Sequence, residues 1–293
     1  MIDAAVGWPL FGGLTLLVGV VGARWWMPEA VLRGGIDGPE PLALLRRVGV
    51  VSCVVVFASL LAVFTRQLLE FRDPFAPWTE DGAMLLSTDW GTVWKLALAA
   101  SLFAGVALLL SKRWGRLGWG VATVVVGGLS LFPALTGHAS SSDTGGPVMI
   151  ALDALHVWAA SSWIGGLLLV LLLDRSAIRA GGGGLLRQLV PRFSRIATVS
   201  VVVLLGTGIA ASVALVTTPS GLITTTYGRT LSLKLVLVAG VLALGAVNAR
   251  VWTPRLDTDA GTRGLRRTAG VELLLGQLVL IVTAILIRTS PAP

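Results

Sequence analysis

Cysteine is almost absent from this chain: Cys53 is the only one among 293 residues, and it sits inside an apolar run. That excludes a disulfide framework and any CxxC metal or redox site. Histidine is nearly as scarce, with His138 and His156 the only two. Charged residues make up 13% of the chain, too few to cover a soluble domain of this size. HExxH, Walker A, GxSxG and strand-bound GxGxxG patterns are all missing, so the standard enzyme signatures are absent and the chain reads as a non-enzyme. The formal net charge is +8, yet no basic run is interleaved with aromatics, which argues against a nucleic-acid partner.

What is abundant is apolar surface. Hydrophobic residues form 55% of the sequence and the mean hydropathy is +0.84, which places the chain in a lipid bilayer. Crossing the hydrocarbon takes about 20 apolar residues in a helix, because each backbone polar group must find its partner within the segment. Eight stretches qualify, near 7–27, 48–68, 92–111, 117–135, 149–173, 196–216, 231–250 and 269–288. The first lacks a basic leader and is long enough to span, so it is expected to be a membrane helix and not a cleaved signal. The predicted fold class is an all-α integral membrane protein of eight transmembrane helices.

Positive charge alternates between the connections. Those after the first, third, fifth and seventh stretches hold Arg24, Arg33, Arg46 and Arg47; Lys112, Arg113 and Arg116; Arg175, Arg179, Arg187, Arg192 and Arg195; and Arg250, Arg255, Arg263, Arg266 and Arg267. These are seventeen of the 23 Lys and Arg. The positive-inside rule assigns these connections to the cytoplasm, with both termini outside. Residues 136–148 carry no Lys or Arg, so both histidines are expected at the external face.

Short internal matches point to a duplication. "FGGLTLL" from Phe11 resembles "IGGLLLV" from Ile164, "RVGVVSCVVV" from Arg47 resembles "RIATVSVVVL" from Arg195, and "TDWG" from Thr88 resembles "TTYG" from Thr225. Two tandem four-helix units, 1–135 and 136–293, are expected.

The fifth stretch holds the most chemistry. Met149, Asp153 and His156 fall at i, i+4 and i+7 and share one helical face near the outer end, with Ala160 and Trp163 continuing it inward. A thioether and a neutral imidazole suit copper(I), and Asp153 is placed to accept the second ring N–H of His156. His138, just beyond the fourth stretch, is positioned to close on the same place. Met1, Met84 and Met149 share the predicted external side, leaving only Met27 inside. The alternative for each residue alone is ordinary packing or capping, and it is weakest for His156 with Asp153, because ionisable groups at membrane depth are costly. Lys95 and Lys234 lie shortly inside the outer ends of their helices. Asn248 and Glu272 sit near the inner ends of the last two, either as a station for a passing ion or as a contact locking the helices together. The glycine pairs and "GTG" at 206–208 read as close-packing sites, and "GGGG" at 181–184 as a hinge.

Taken together, "GHA" at 137–139, "DALHVWAASSWIGGLLL" at 153–169, "RFSRIATVSVVVLLGTG" at 192–208, "YGRTLSLKLVL" at 227–237, "NARVWTPRL" at 248–256 and "GVELLLGQLVL" at 270–280 resemble the copper resistance protein D family (CopD, PcoD and YcnJ). The motif order matches from about 136 to 291, while the first half matches by helix pattern alone. The resemblance implies an inner-membrane protein moving copper toward the cytoplasm beside a periplasmic copper-binding protein of the CopC type. It assigns Asp153, His156, Trp163, Gly165 and Gly166 to one family helix, and Tyr227, Gly228 and Lys234 to a later motif. No fused CopC-like domain is evident, so such a partner is expected to be separate.

Two rival readings follow from the residues. A haem b protein, either an electron carrier or a haem-modifying enzyme, would use His138 and His156 as axial ligands, although only one short connection separates them. A structural subunit of a larger complex would use the eleven tryptophans as interface anchors.

Overall fold

The computed structural model describes residues 2–34, 41–137, 146–181, 185–215, 221–287 and 289. Eight spans are long and apolar enough to cross a membrane, carried by α1 (Ile2–Trp26), α2 (Pro41–Glu70), α3 (Asp89–Trp114), α4 (Arg116–Leu129, whose span is completed to Thr136 by the short helix Phe132–Thr136), α5 (Gly146–Arg179), α6 (Leu185–Leu215), α7 (Thr226–Val247, whose span continues through the turns to Arg255) and α8 (Asp259–Leu286). Among the described residues no strand occurs. Short helices Glu29–Leu32, Trp78–Ser87 and Gly221–Thr224 fill connections, and α7 runs into a π-helical turn at Asn248–Trp252.

Four helices extend well beyond their apolar runs. α2 begins at Pro41, α5 continues to Arg179, α6 begins at Leu185 and α8 at Asp259, whereas apolarity alone begins or ends them near 48, 173, 196 and 269. At 1.5 Å per residue the 34 residues of α5 reach about 50 Å, well past a hydrocarbon core of about 30 Å. Arg, Leu and Ala are good helix formers outside lipid as well as inside it. Arg187 and Arg266 therefore ride on helical turns and not on loops, and this is where they find partners. Arg266 Nε donates to buried Asp174 Oδ2 at 2.7 Å, joining α8 to α5. Arg187 donates to the carbonyls of Leu256 and Asp257 at 2.9 and 2.7 Å.

α1 is the axis of the assembly. It packs on α2, α4, α5 and α8, and 56% of its apolar window is buried, against 11% for α6 and for α7. The α1–α5 crossing depends on two glycines. A Cβ on Gly19 would lie 2.7 Å from the carbonyl carbon of Gly165, and one on Gly165 would strike the Thr15 carbonyl. Small residues let the backbones meet where apolar side chains gain nothing by leaving lipid.

Around this axis α2 packs on α3 and α3 on α4, α5 pairs with α6, and α7 pairs with α8. Among the described residues α6 and α7 share no extended interface, so the α5–α6 and α7–α8 hairpins stand apart on that side. One capping device recurs at three helix starts. Thr88, Thr225 and Thr258 each accept, through the side-chain hydroxyl, the backbone N–H of the glycine three residues on, at 3.0, 2.9 and 3.0 Å. In the first two the capped sequences are the matching "TDWG" and "TTYG".

Candidate functional site

His156 sits on the α5 face shared with Met149, Asp153 and Trp163, at the end of the bundle where α5 and α7 begin. Its Nδ1 lies 2.9 Å from Thr207 Oγ1 on α6. The Thr207 hydroxyl has one proton, and the Val203 carbonyl takes it at 2.7 Å. The imidazole N–H is then the donor to Thr207, and in the neutral ring the lone pair stands on Nε2, free to ligate. Gly208 leaves room beside the ring, since a Cβ there would come within 3.6 Å of His156 Cε1. The residue holding the ring is thus Thr207 and not Asp153, as the spacing on α5 had suggested. Asp153 projects from the same helix in nearly the same direction as His156, while α6 faces the ring from outside.

Asp153 and Lys234 interact electrostatically, and so do Lys234 and His156. No hydrogen bond or ion pair joins these three among the described residues. Asp153 of α5 and Lys234 of α7 are therefore near enough to feel each other's charge without touching.

Not every expected residue gathers here. Met149 lies partly exposed in the first turn of α5. Met84 is 59% exposed on the short helix that packs against α2 and α3, and the structure does not bring it to α5. Tyr227 is buried in a small apolar cluster with Leu231 and Leu286. His138 and Met1 lie outside the described residues. Among the described residues no three His, Cys, Asp or Glu side chains form a ready-made metal cage.

A second polar group lies nearer the arginine-rich end and is fully enclosed. Glu272 on α8 is 4% exposed. Its Oε1 accepts the indole N–H of Trp163 from α5 at 3.0 Å, and its Oε2 accepts Asn248 Nδ2 at 2.7 Å. Thr268, one turn before Glu272, donates to Asn248 Oδ1. Gly245 makes space on α7, where a Cβ would lie 3.7 Å from both Glu272 Oε1 and Trp163 Cζ2. The Asn248–Glu272 contact between α7 and α8 was legible as two polar residues on adjacent helices. Its extension to α5 through Trp163, and the π-helical turn that begins at Asn248, were not. Such turns mark places where a helix departs from regular geometry, frequently at functional sites.

Comparison with known proteins gives a consistent picture. Residues 187–286 match the family described as Copper resistance protein D, and residues 1–147 match Copper resistance protein D-like, N-terminal domain. The chain is 31% identical over 215 residues to the Copper transport protein CutJ of Bacillus subtilis (strain 168), covering 71% of this chain and 38% of that protein. It is 26% identical over 220 residues to Copper resistance protein D of Pseudomonas syringae pv. tomato, and 26% over 211 residues to Inner membrane protein YebZ of Escherichia coli (strain K12). Each of these two matches covers 71% of both chains. The chain thus spans well under half the length of CutJ. No solved structure matches.

Proposed function

Because the chain belongs to the copper resistance protein D family, we propose that it carries copper ions across the inner membrane toward the cytoplasm. Copper is captured where Asp153 and His156 meet the gap between α6 and α7. The observation that carries this reading is the His156 ring: Thr207 holds Nδ1 and leaves Nε2 as an unused donor atom at membrane depth. An imidazole nitrogen suits copper in either common oxidation state, and a thioether suits copper(I). Met149, one turn before Asp153, and His138 from the preceding connection complete the proposed ligand set. Asp153 supplies the negative charge that a cation needs, and Lys234 balances that charge while the site is empty. Met84, remote from α5, would serve only as an outlying capture point.

From the capture site the ion passes along α5 toward Trp163, Asn248 and Glu272. That trio closes the arginine-rich end, with Tyr227 supporting the start of α7. In this reading the His156 end, poor in arginine, faces outside by the positive-inside rule. The membrane potential then favours inward movement by about 2.3 kcal/mol per charge per 100 mV, and no nucleotide-binding motif offers another source. In this reading residues 1–135 and 136–293 form two four-helix units, and a separate periplasmic protein of the CopC type delivers copper to the rim.

The test is metal analysis of the purified chain with copper uptake in proteoliposomes. Wild type should retain copper and accumulate it, and His156→Ala should lose both while remaining folded. A wild-type preparation that binds no copper, or one that shows a Soret band from haem bound at His156, would overturn the reading.

A further inference from the structure

Two cavities meet on the outer surface of α1, α5 and α6. One, about 320 Å³, is lined by Val18, Gly19, Gly22, Trp25 and Trp26 of α1. The other, about 260 Å³, is lined by α5 and α6, chiefly by apolar residues such as Leu155, Trp158, Val199 and Val203, with Ser162 and Ser200 among them. Ser162 and Ile196 line both, so the two form one continuous groove. At 1.5 Å per residue it runs on the order of 20 Å along the helices, comparable to the depth of one leaflet of hydrocarbon. Its floor is glycine, and a Cβ on Gly22 would meet nothing within 4 Å.

The mouth at the arginine-rich end is charged. Trp25 is fixed there by its indole N–H donating to Thr123 Oγ1 at 2.9 Å. The guanidinium carbons of Arg24 and Arg116 lie 5.6 and 5.8 Å from its ring centre. Arg24, Arg33 and Arg116 converge on the single carboxylate of Glu29 at 3.0, 3.7 and 3.8 Å, which leaves an excess of positive charge. The Arg24 hydrogen bond and the neighbouring guanidinium charges hold the Glu29 carboxyl below its ordinary value, so no lost carboxylate charge enlarges that excess near neutral pH. Arg24 is only 5% exposed, and its Nε finds no partner. Its charge is thus carried beneath the surface, where solvent screens it less than at the exposed Arg33 and Arg116.

An apolar channel of one-leaflet depth, entered past unbalanced guanidinium groups, fits an amphipath with an anionic head and a long apolar tail. We propose that this groove is a binding site for an anionic phospholipid. One acyl chain lies along Gly19, Gly22 and Ser162, and the phosphate meets the exposed guanidinium of Arg116, with the charge of buried Arg24 behind it. The proposal is independent of copper.

The experiment is native mass spectrometry with lipid extraction on the detergent-purified chain. Wild type should retain phosphatidylglycerol in preference to phosphatidylethanolamine. Gly22→Leu fills space that is open in the protein, so it should leave thermal unfolding unchanged while cutting retention by about tenfold, equivalent to about 1.4 kcal/mol. Ser162→Leu plugs the groove from the opposite wall and should act alike. Arg116→Gln should erase the preference for the anionic head while keeping the tail. Equal retention by wild type and both plugged variants would overturn the proposal. So would equal retention of the two lipids by wild type, release of free fatty acid alone, or conversion of a dimer to monomers by Gly22→Leu, which would make the occupant a second copy.

Discussion

Around Glu272 both carboxylate oxygens take a donor, one from α5 and one from the turn that follows α7, and Asn248 is in turn engaged by Thr268. Around Asp153 and His156 one ring nitrogen is engaged by Thr207, while the carboxylate and the Lys234 ammonium interact only at a distance. Both groups are polar islands in apolar helices, where unmet hydrogen-bonding capacity is expensive. Once its donors and acceptors are used, an island ties helices together and has little left for a ligand. The other island keeps capacity in reserve, and that reserve is what a transported cation would use. On the proposed reading the first holds the bundle closed and the second captures copper.

The sharpest way to break this contrast is to empty the tie. Glu272→Ala leaves the Trp163 indole N–H and the Asn248 amide buried without an acceptor. The expected loss of stability is about 3 kcal/mol, since removing one member strands charged-group hydrogen bonds. Denaturant unfolding in detergent measures it, and copper affinity at the other island should stay unchanged. A Glu272→Ala chain as stable as wild type but devoid of uptake would make Glu272 a station for the ion, and the division of roles would collapse. Trp163→Phe removes one donor and leaves a smaller ring in a buried position, so its cost should be about 2 kcal/mol, the lost hydrogen bond and the cavity together.

His156→Ala inverts the pattern. Copper retention should fall at least about tenfold, or about 1.4 kcal/mol, while unfolding shifts by less than about 1 kcal/mol, because the ring makes one neutral hydrogen bond beside a gap. A large stability loss with copper retained would show His156 to be another structural tie.

How far these roles could be read in advance differed by element. Eight apolar runs were plain, because lipid demands them. Where α2, α5, α6 and α8 continue beyond lipid was not, since nothing apolar records a helix in water. The grouping of Asp153 and His156 follows from helical spacing, and the Asn248–Glu272 contact from two polar residues on neighbouring spans. Thr207 escaped notice because "GTG" looks like any close-packed stretch, and its partner lies 51 residues away. The separation of α6 from α7 left no trace either, because lipid-facing and protein-facing valines are indistinguishable in a membrane helix.

Lys234 tests the reserve from its charge side. Lys234→Met removes a cation that faces Asp153, so a copper ion would meet less repulsion there. The expected gain is about 1 kcal/mol, or roughly fivefold tighter binding, in line with a charge pair separated by more than contact distance at intermediate dielectric. Equilibrium competition with a copper(I) chelator reads it. Weaker binding in the variant would place Lys234 among the groups that hold Asp153 in position.

The smallest expected effect isolates the hydrogen bond that orients the ring. Thr207→Val keeps nearly the same shape and removes the acceptor for the His156 N–H, leaving the helix α6 backbone undisturbed because the hydroxyl only returned its proton to the Val203 carbonyl. The imidazole then has no partner fixing which nitrogen carries the proton. Copper binding should weaken by about threefold, near 0.6 kcal/mol, with stability changed by no more than about 1 kcal/mol. Thr207→Ser restores an oxygen at the same position and should recover the wild-type affinity. If valine and serine variants bind copper equally well, the ring is held by packing beside Gly208, and the free Nε2 owes nothing to α6.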